Sequence, residues 1–256
     1  MKQIDDFTTI SLSDELVAVV LGAGNAYDTD RHNASLLLRK ANQSVLIDCG
    51  PWVTKRLLAL IGPEEINEVY FTHAHPDHCL GLTTLTNWMS SNRRQQPLLI
   101  HCIAEQKPLL QTLVNFGCWP EREHTFNIEW RDIEPFGELA GYDYETAATK
   151  HSVDNRSLHL TLDENRSVFY SGDGKLTAEG AALAAQSDVV FIECEQVRPC
   201  RSHNSLEEVF ILEKKPSSRW FLYHVASDQR EAIAHRLLHD PHLELLQESF
   251  VHSVHK

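Results

Sequence analysis

The 256-residue chain has no C-x-x-C pair, no internal repeat, no low-complexity tract and no apolar run near the ~20 residues that span a bilayer. Its six cysteines, Cys49, Cys79, Cys102, Cys118, Cys194 and Cys200, stand scattered. That spacing gives neither a zinc knuckle nor a redox couple, and implies reduced, mostly buried thiols. Basic charge is scarce, with 23 Lys and Arg against 36 Asp and Glu, a net charge of −13. Because binding a phosphate backbone needs clustered cations that displace counterions, long nucleic acid is disfavoured as a partner. The segment Met1 to Ser13 lacks the basic start and apolar stretch of a signal peptide, so a soluble, cytoplasmic protein without a membrane partner is expected.

What is present is 42% hydrophobic residues, enough for a full core, and a single domain over residues 1–256 is the expectation. Short β-branched runs that end in Gly, Asp or His predict strands over Leu16–Leu21, Ser35–Leu38, Ser44–Asp48, Glu68–Thr72 and Leu98–Cys102. The same pattern recurs over Tyr142–Thr149, Ser157–Leu162, Ser167–Ser171, Val189–Glu193 and Trp220–His224. Helical patterns fall over Trp52–Ile61, Asp77–Trp88, Glu105–Asn115, Thr177–Gln186, Ser205–Leu212 and Ser227–Leu238. Strands that occur both in hairpin-like pairs and in alternation with helices predict an α/β architecture of two sheets with helices outside. Ser90 to Pro97 reads as a surface loop, and its Arg93-Arg94 pair as solvated charge.

His73-Ala-His75-Pro-Asp77-His78 directly follows the strand-like Glu68–Thr72. Alternation along an extended segment points His73 and His75 the same way, and Pro76 marks entry into a helix whose first residues, Asp77 and His78, face the same cleft. Imidazole and carboxylate at this density suit borderline divalent metals, zinc above all, with manganese or iron as substitutes.

The H-x-H-x-D-H sequence resembles the signature of the metallo-β-lactamase fold hydrolases, and later family motifs follow in order: His151 after a strand, Asp173 in Gly-Asp-Gly, and His224 ending Trp220-Phe-Leu-Tyr-His. The resemblance implies a four-layer αββα sandwich of two mixed β-sheets flanked by helices. It also implies two zinc ions, one held by His73, His75 and His151, the other by Asp77, His78 and His224, with Asp173 on both. Metals so held would activate water for hydrolysis. His101, His124, His159, His235, His239, His242, His252 and His255 match no motif and are read as structural or surface residues.

Members of this superfamily cleave β-lactams, thioesters, lactones and phosphodiesters, so the substrate must come from elsewhere. Val189–Glu193 followed by Ser202-His203-Asn204-Ser205 is similar to a segment of ribonuclease Z-like phosphodiesterases in which a glutamate and a histidine pair beside the metals. The resemblance makes His203 the proton donor or phosphate stabiliser, oriented by Glu193, and counts Asp77 with them as catalytic. A bland reading, in which His203 and Ser205 merely cap a helix, stands beside it. The turn at Leu21-Gly-Ala-Gly-Asn25 ahead of Asp30-Arg-His-Asn33 is also like the ribonuclease Z group, with Asn33 fixing the loop and contacting substrate. Only Ser152 to Gly172 separates His151 from Asp173, enough for a hairpin and too short for the long arm with which ribonuclease Z grips transfer RNA. The expected activity is therefore that of a phosphodiesterase on a small phosphodiester such as a cyclic nucleotide. A lactonase or thioesterase, a ribonuclease Z-type endonuclease without the arm, and a catalytically weak nucleotide sensor are the rivals. Tyr27, Trp52, Trp119 and Arg198 could line a pocket, with packing or exposed-loop roles the first reading for each, and a homodimer is implied by the resemblance alone.

Overall fold

The computed structural model describes residues 6–41 and 43–249; the readings on His252 and His255 lie outside the described residues. Strands β1 (Thr9–Ser11), β2 (Val17–Gly22), β3 (Ser35–Lys40), β4 (Gln43–Ile47), β5 (Glu68–Tyr70), β6 (Leu98–Cys102) and β7 (Ile128–Asp132) form one sheet in that order. Its first four strands are antiparallel and β4 to β7 are parallel. The second sheet contains β8 (Phe136–Leu139), β9 (Tyr142–Lys150), β10 (Arg156–Asp163), β11 (Arg166–Tyr170), β12 (Lys175–Leu176), β13 (Val189–Glu193), β14 (Arg219–Tyr223) and β15 (Leu243–Leu245). Its order is β12-β9-β10-β11-β13-β14-β15, with β8 on β9. Here β9, β10 and β11 run antiparallel, whereas β11, β13, β14 and β15 are parallel. Both sheets are thus mixed.

The layering follows from the two-residue period of strands that are apolar on both faces. Val19 and Leu21 of β2 pack under helices α1 (Val53–Leu60), α3 (Gly81–Ser91) and α4 (Lys107–Gly117), while Ala18 and Val20 face the other sheet. In β13 and β14 the same alternation sends Phe191, Phe221 and Tyr223 between the sheets. Val190, Ile192, Trp220 and Leu222 instead meet α5 (Ala178–Gln186), α6 (Leu206–Phe210) and α7 (Arg230–Leu237). Three apolar interfaces therefore separate four layers, the αββα sandwich.

The ten expected strands are present, β6 and β13 with the expected ends and the others with ends shifted by one or two residues. β1, β7, β8, β12 and β15 were not expected, because they are short or lie at exposed edges where apolar patterning is weak. The helix expected over Asp77–Trp88 divides at Leu80 into α2 (Pro76–Cys79) and α3. The Gly81 N–H leaves the helical ladder and donates to the Cys49 carbonyl at 2.8 Å, tying the motif to the end of β4.

Arg94 overturns the reading of Arg93-Arg94 as solvated charge. Its side chain is fully buried and donates to the carbonyl oxygens of Pro63, Ile66, Gln96 and Pro97 at 2.6–2.8 Å. A guanidinium offers five donors, so one arginine can satisfy several loop carbonyls at once. The six cysteines are free, four of them buried.

Candidate active site

The site lies beyond the C-terminal ends of β5, β9, β11, β13 and β14, where chains leaving two sheets converge. His73 and His75 follow β5, Asp77 and His78 sit in α2, His151 follows β9, Asp173 follows β11 and His224 follows β14. Local backbone geometry aims these groups. Gly172 has φ +61°, and a Cβ there would overlap the Asn155 side chain, so the turn presenting Asp173 requires glycine. A Cβ on Gly50 would overlap the Asp77 carbonyl, so the end of β4 and α2 meet only because residue 50 lacks a side chain. His224 has φ +59° with its N–H donating to the Ala23 carbonyl at 2.9 Å, a strained backbone of the kind held at functional sites.

The side chains form two adjoining sets. In the first, His75 Nδ1 lies 3.0 Å from His73 Nε2 and 3.0 Å from His151 Nε2. In the second, Asp77 Oδ2 lies 3.4 Å from both His78 Nε2 and His224 Nε2. Asp173 Oδ2 stands between them, 3.4 Å from His78 Nε2, 3.3 Å from His224 Nε2, 3.9 Å from His73 Nε2 and 4.0 Å from His151 Nε2. The structure thus brings together all seven residues singled out as ligands.

Hydrogen bonds behind these side chains decide which nitrogens face inward with a lone pair. His78 Nδ1 donates to the Asp48 carboxylate at 2.8 Å, His224 Nδ1 to Glu195 at 3.0 Å, and His151 Nδ1 to the Ser202 carbonyl at 2.9 Å. Each acceptor fixes the proton on Nδ1 and leaves the neutral ring's Nε2 free to ligate. His78 Nε2 and Asp173 Oδ1 are buried with no hydrogen-bond partner. Buried polar atoms without partners are costly, and a cation is the ligand that would satisfy an imidazole lone pair and a carboxylate oxygen together. The donor set therefore fits divalent metal.

The electrostatics agree. Burial, reinforced by neighbouring imidazoles, pushes His73 well below its ordinary pKa; burial also lowers His75 and His151, so this set stays neutral. Asp173 is deeply buried, which opposes ionisation, but the charges of His224 and His78 hold it well below the usual carboxylate range. Burial likewise opposes charge on His78 and His224, yet Asp173 and the other nearby carboxylates raise both well above the ordinary value. The same excess of negative charge favours a bound cation.

Glu193 and His203 adjoin the second set; ligand atoms of Asp173, Glu193, His203 and His224 lie within 4.8 Å of one another. Glu193 ends β13, is fully buried, and its Oε1 accepts a short hydrogen bond from His203 Nδ1. Its Oε2 accepts from the N–H groups of Gly174 at 2.7 Å and Asn204 at 3.1 Å, so the carboxylate cannot turn away. Burial lowers the His203 pKa, but the hydrogen bond and charge of Glu193 prevail and raise it. Ser205, not His203, caps the next helix, through a capping box with Glu208. Asn33 fixes the loop ahead of β3. Its buried amide donates to the Asn25 carbonyl at 3.3 Å and accepts from Trp52 N at 3.1 Å, holding the loop.

Asp48 and Glu195 went unread in the sequence. Asp48 also accepts from the Thr72 N–H at 2.9 Å and lies in the left-handed region at φ +57°. A strand ending in Asp-Cys-Gly was the available signal. Glu195, two residues beyond Glu193, gave no pattern of its own.

Two mixed sheets between helices, with H-x-H-x-D-H and its later partners gathered at the strand ends, define the metallo-β-lactamase fold hydrolases. Solved structures share the fold. YhfI from Bacillus subtilis, a metallo-β-lactamase fold protein, superposes with a TM-score of 0.74 at 17% identity over 93% of this chain and 98% of its own. The short form of human tRNase Z gives a TM-score of 0.71 at 16% identity over 90% and 96%. Within that class the chain belongs to the family of the anti-Pycsar protein Apyc1, whose model matches residues 16–250. It is 28% identical to the anti-Pycsar protein Apyc1 of Saccharibacillus brassicae, over 84% of this chain and 91% of that protein. It is also similar to the ribonuclease Z of Pyrococcus horikoshii, 31% identical over 51% of this chain and 42% of the enzyme.

Proposed function

We propose that the cleft is a two-metal centre that hydrolyses a small phosphodiester, a cyclic nucleotide or a similar compound. His73, His75 and His151 would hold one ion, Asp77, His78 and His224 the other, and Asp173 both, with zinc the ion best matched to this donor set. Bound there, the ions would lower the pKa of water toward ~7 and offset the charge of the phosphate.

The observation that carries the phosphodiester reading is the buried Glu193 paired with His203 beside Asp173 and His224. Phosphodiester cleavage expels an alkoxide that needs a proton. Glu193 keeps the His203 Nδ1 proton in place and raises the ring's pKa, so Nε2–H is the donor offered to the leaving oxygen or to a phosphate oxygen. Attack on a lactone or thioester carbonyl has less use for this pair. The β10–β11 hairpin fills the stretch between His151 and Asp173 and leaves no arm for transfer RNA, which supports a small substrate, as does the net charge of −13. A diphosphatase of the PhnP family has the same fold, at a TM-score of 0.72 and 17% identity over 92% of this chain and 96% of its own.

Protein loaded with zinc or manganese is expected to hydrolyse bis-p-nitrophenyl phosphate and to lose that activity with its metal on chelation. Efficient cleavage of lactones or thioesters with none of the diester would overturn the reading.

A further inference from the structure

Glu193 and His203 belong to a further cluster of ligand atoms that overlaps the seven-residue centre. Those of Asp173, Glu193, His203 and His224 lie within 4.8 Å of one another, the same limit met by the Asp77, His78, Asp173 and His224 set. Asp173, Glu193 and His224 are buried, and His203, with 25% of its side chain exposed, gives the cluster an opening to solvent. Imidazole and carboxylate gathered this closely can hold a cation of their own.

Not every atom of the cluster is free to ligate. His224 is committed at both nitrogens, with Nε2 3.4 Å from Asp77 and 3.3 Å from Asp173, and Nδ1 donating to Glu195 at 3.0 Å. Three donors remain. Glu193 Oε1 and His203 Nδ1 share one proton along a short hydrogen bond, while Glu193 Oε2 is held in place by the N–H groups of Gly174 and Asn204. Asp173 turns Oδ2 toward the four imidazoles of the centre, and its Oδ1 is buried with no hydrogen-bond partner. One imidazole and two carboxylates form a donor set that suits zinc and leaves a fourth position to solvent. The charge favours it as well, because Asp173 and Glu193 are two buried carboxylates side by side.

We propose that a further zinc ion binds between Glu193, His203 and Asp173 when free metal is in excess, and that it inhibits the enzyme. The proposal rests on reading the cleft as a two-metal phosphodiesterase with His203 as its proton donor. The ion takes the place of the proton between His203 Nδ1 and Glu193 Oε1, and that proton goes to solvent. The ring is left with Nε2–H alone, which it releases far less readily than an imidazolium releases a proton, so the leaving oxygen loses its donor. Metal that is required when scarce is thus inhibitory when abundant.

The test dialyses metal-loaded full-length protein against zinc at free concentrations rising to the millimolar range, counts bound zinc by atomic emission, and follows the rate on cyclic AMP. Wild type should take up a third equivalent, and its rate should fall in step by about 10²–10⁴, to the level of His203→Ala. His203→Ala and Glu193→Gln should each stop at two equivalents, and the residual rate of His203→Ala should stay flat as zinc rises. A cooperative melt and the two retained equivalents establish that the variants are folded and loaded. Wild type that stops at two equivalents overturns the site, as does a third equivalent that persists in both variants and so belongs to other residues. A third equivalent that depends on His203 while the rate holds overturns the inhibition. The same equivalent in a protein that hydrolyses no diester keeps the metal site and removes the phosphodiesterase reading.

Discussion

Replacing His203 with Ala removes the one proton donor that Glu193 orients beside Asp173 and His224, while leaving all seven proposed ligands in place. If His203 protonates the leaving oxygen, turnover on a dialkyl or cyclic phosphodiester should fall by about 10²–10⁴, the range for a positioned general acid. That loss corresponds to about 3–5 kcal/mol of barrier. Bis-p-nitrophenyl phosphate, whose p-nitrophenolate leaves as a stable anion, should lose far less, about tenfold or under. The ratio of the two losses is therefore the measurement, taken from steady-state rates with metal content checked on each sample. His203→Ala also strands Glu193 Oε1 in a buried position, so a fall in stability of about 1–3 kcal/mol is expected beside the kinetic effect. Equal losses on both diesters would refute proton donation and leave phosphate stabilisation; no loss on either would remove His203 from the mechanism.

Asp48→Asn should weaken metal binding about 10–100-fold, since an amide no longer fixes the His78 proton on Nδ1, and calorimetric titration of metal-free protein reads this directly. Arg94→Ala should lower stability by about 3–5 kcal/mol, because four carbonyls lose their donor, while turnover per folded molecule holds; denaturant melts and active-site titration separate the two. Stability should also fall in acid through His159 on β10. Burial lowers its pKa against the opposing pull of Glu145 and Asp188, and neither ring nitrogen has a partner. The unfolded chain therefore takes up this proton first, so the contribution is complete above the ordinary value of 6.5 and is lost as pH falls from there toward the depressed folded value. His159→Leu should flatten that slope in melts between pH 5 and 8, and an unchanged slope would count against it.

The parts of the site that could be read from sequence are those where a local pattern is also a local geometry. His73, His75, Asp77 and His78 span six residues, and a strand running into a Pro-started helix places them by itself. His151, Asp173 and His224 were picked out by the family resemblance, which a strand end before each of them supported, and Glu193 by the likeness to ribonuclease Z-like phosphodiesterases. Asp48, Glu195 and the Ser202 carbonyl stayed hidden, because what they do depends on which imidazole they meet across 29–51 residues of chain. Arg94 misled for a related reason. Charge beside polar residues reads as solvent-facing, and only the packing of the Pro63–Ile66 and Gln96–Pro97 segments around it shows a buried donor.

What the sequence determined by itself was the alternation of apolar residues that commits strands to two sheets, and the kinds of donor atom that would gather at their ends. Tertiary structure decided which nitrogen of each histidine faces inward, that Asp173 stands within reach of both ligand sets, and which loop groups Asn33 holds. The physical reason is range. Periodicity and donor chemistry act over a few residues, whereas tautomers, bridging and exposure are fixed by contacts between segments that only the folded chain brings together.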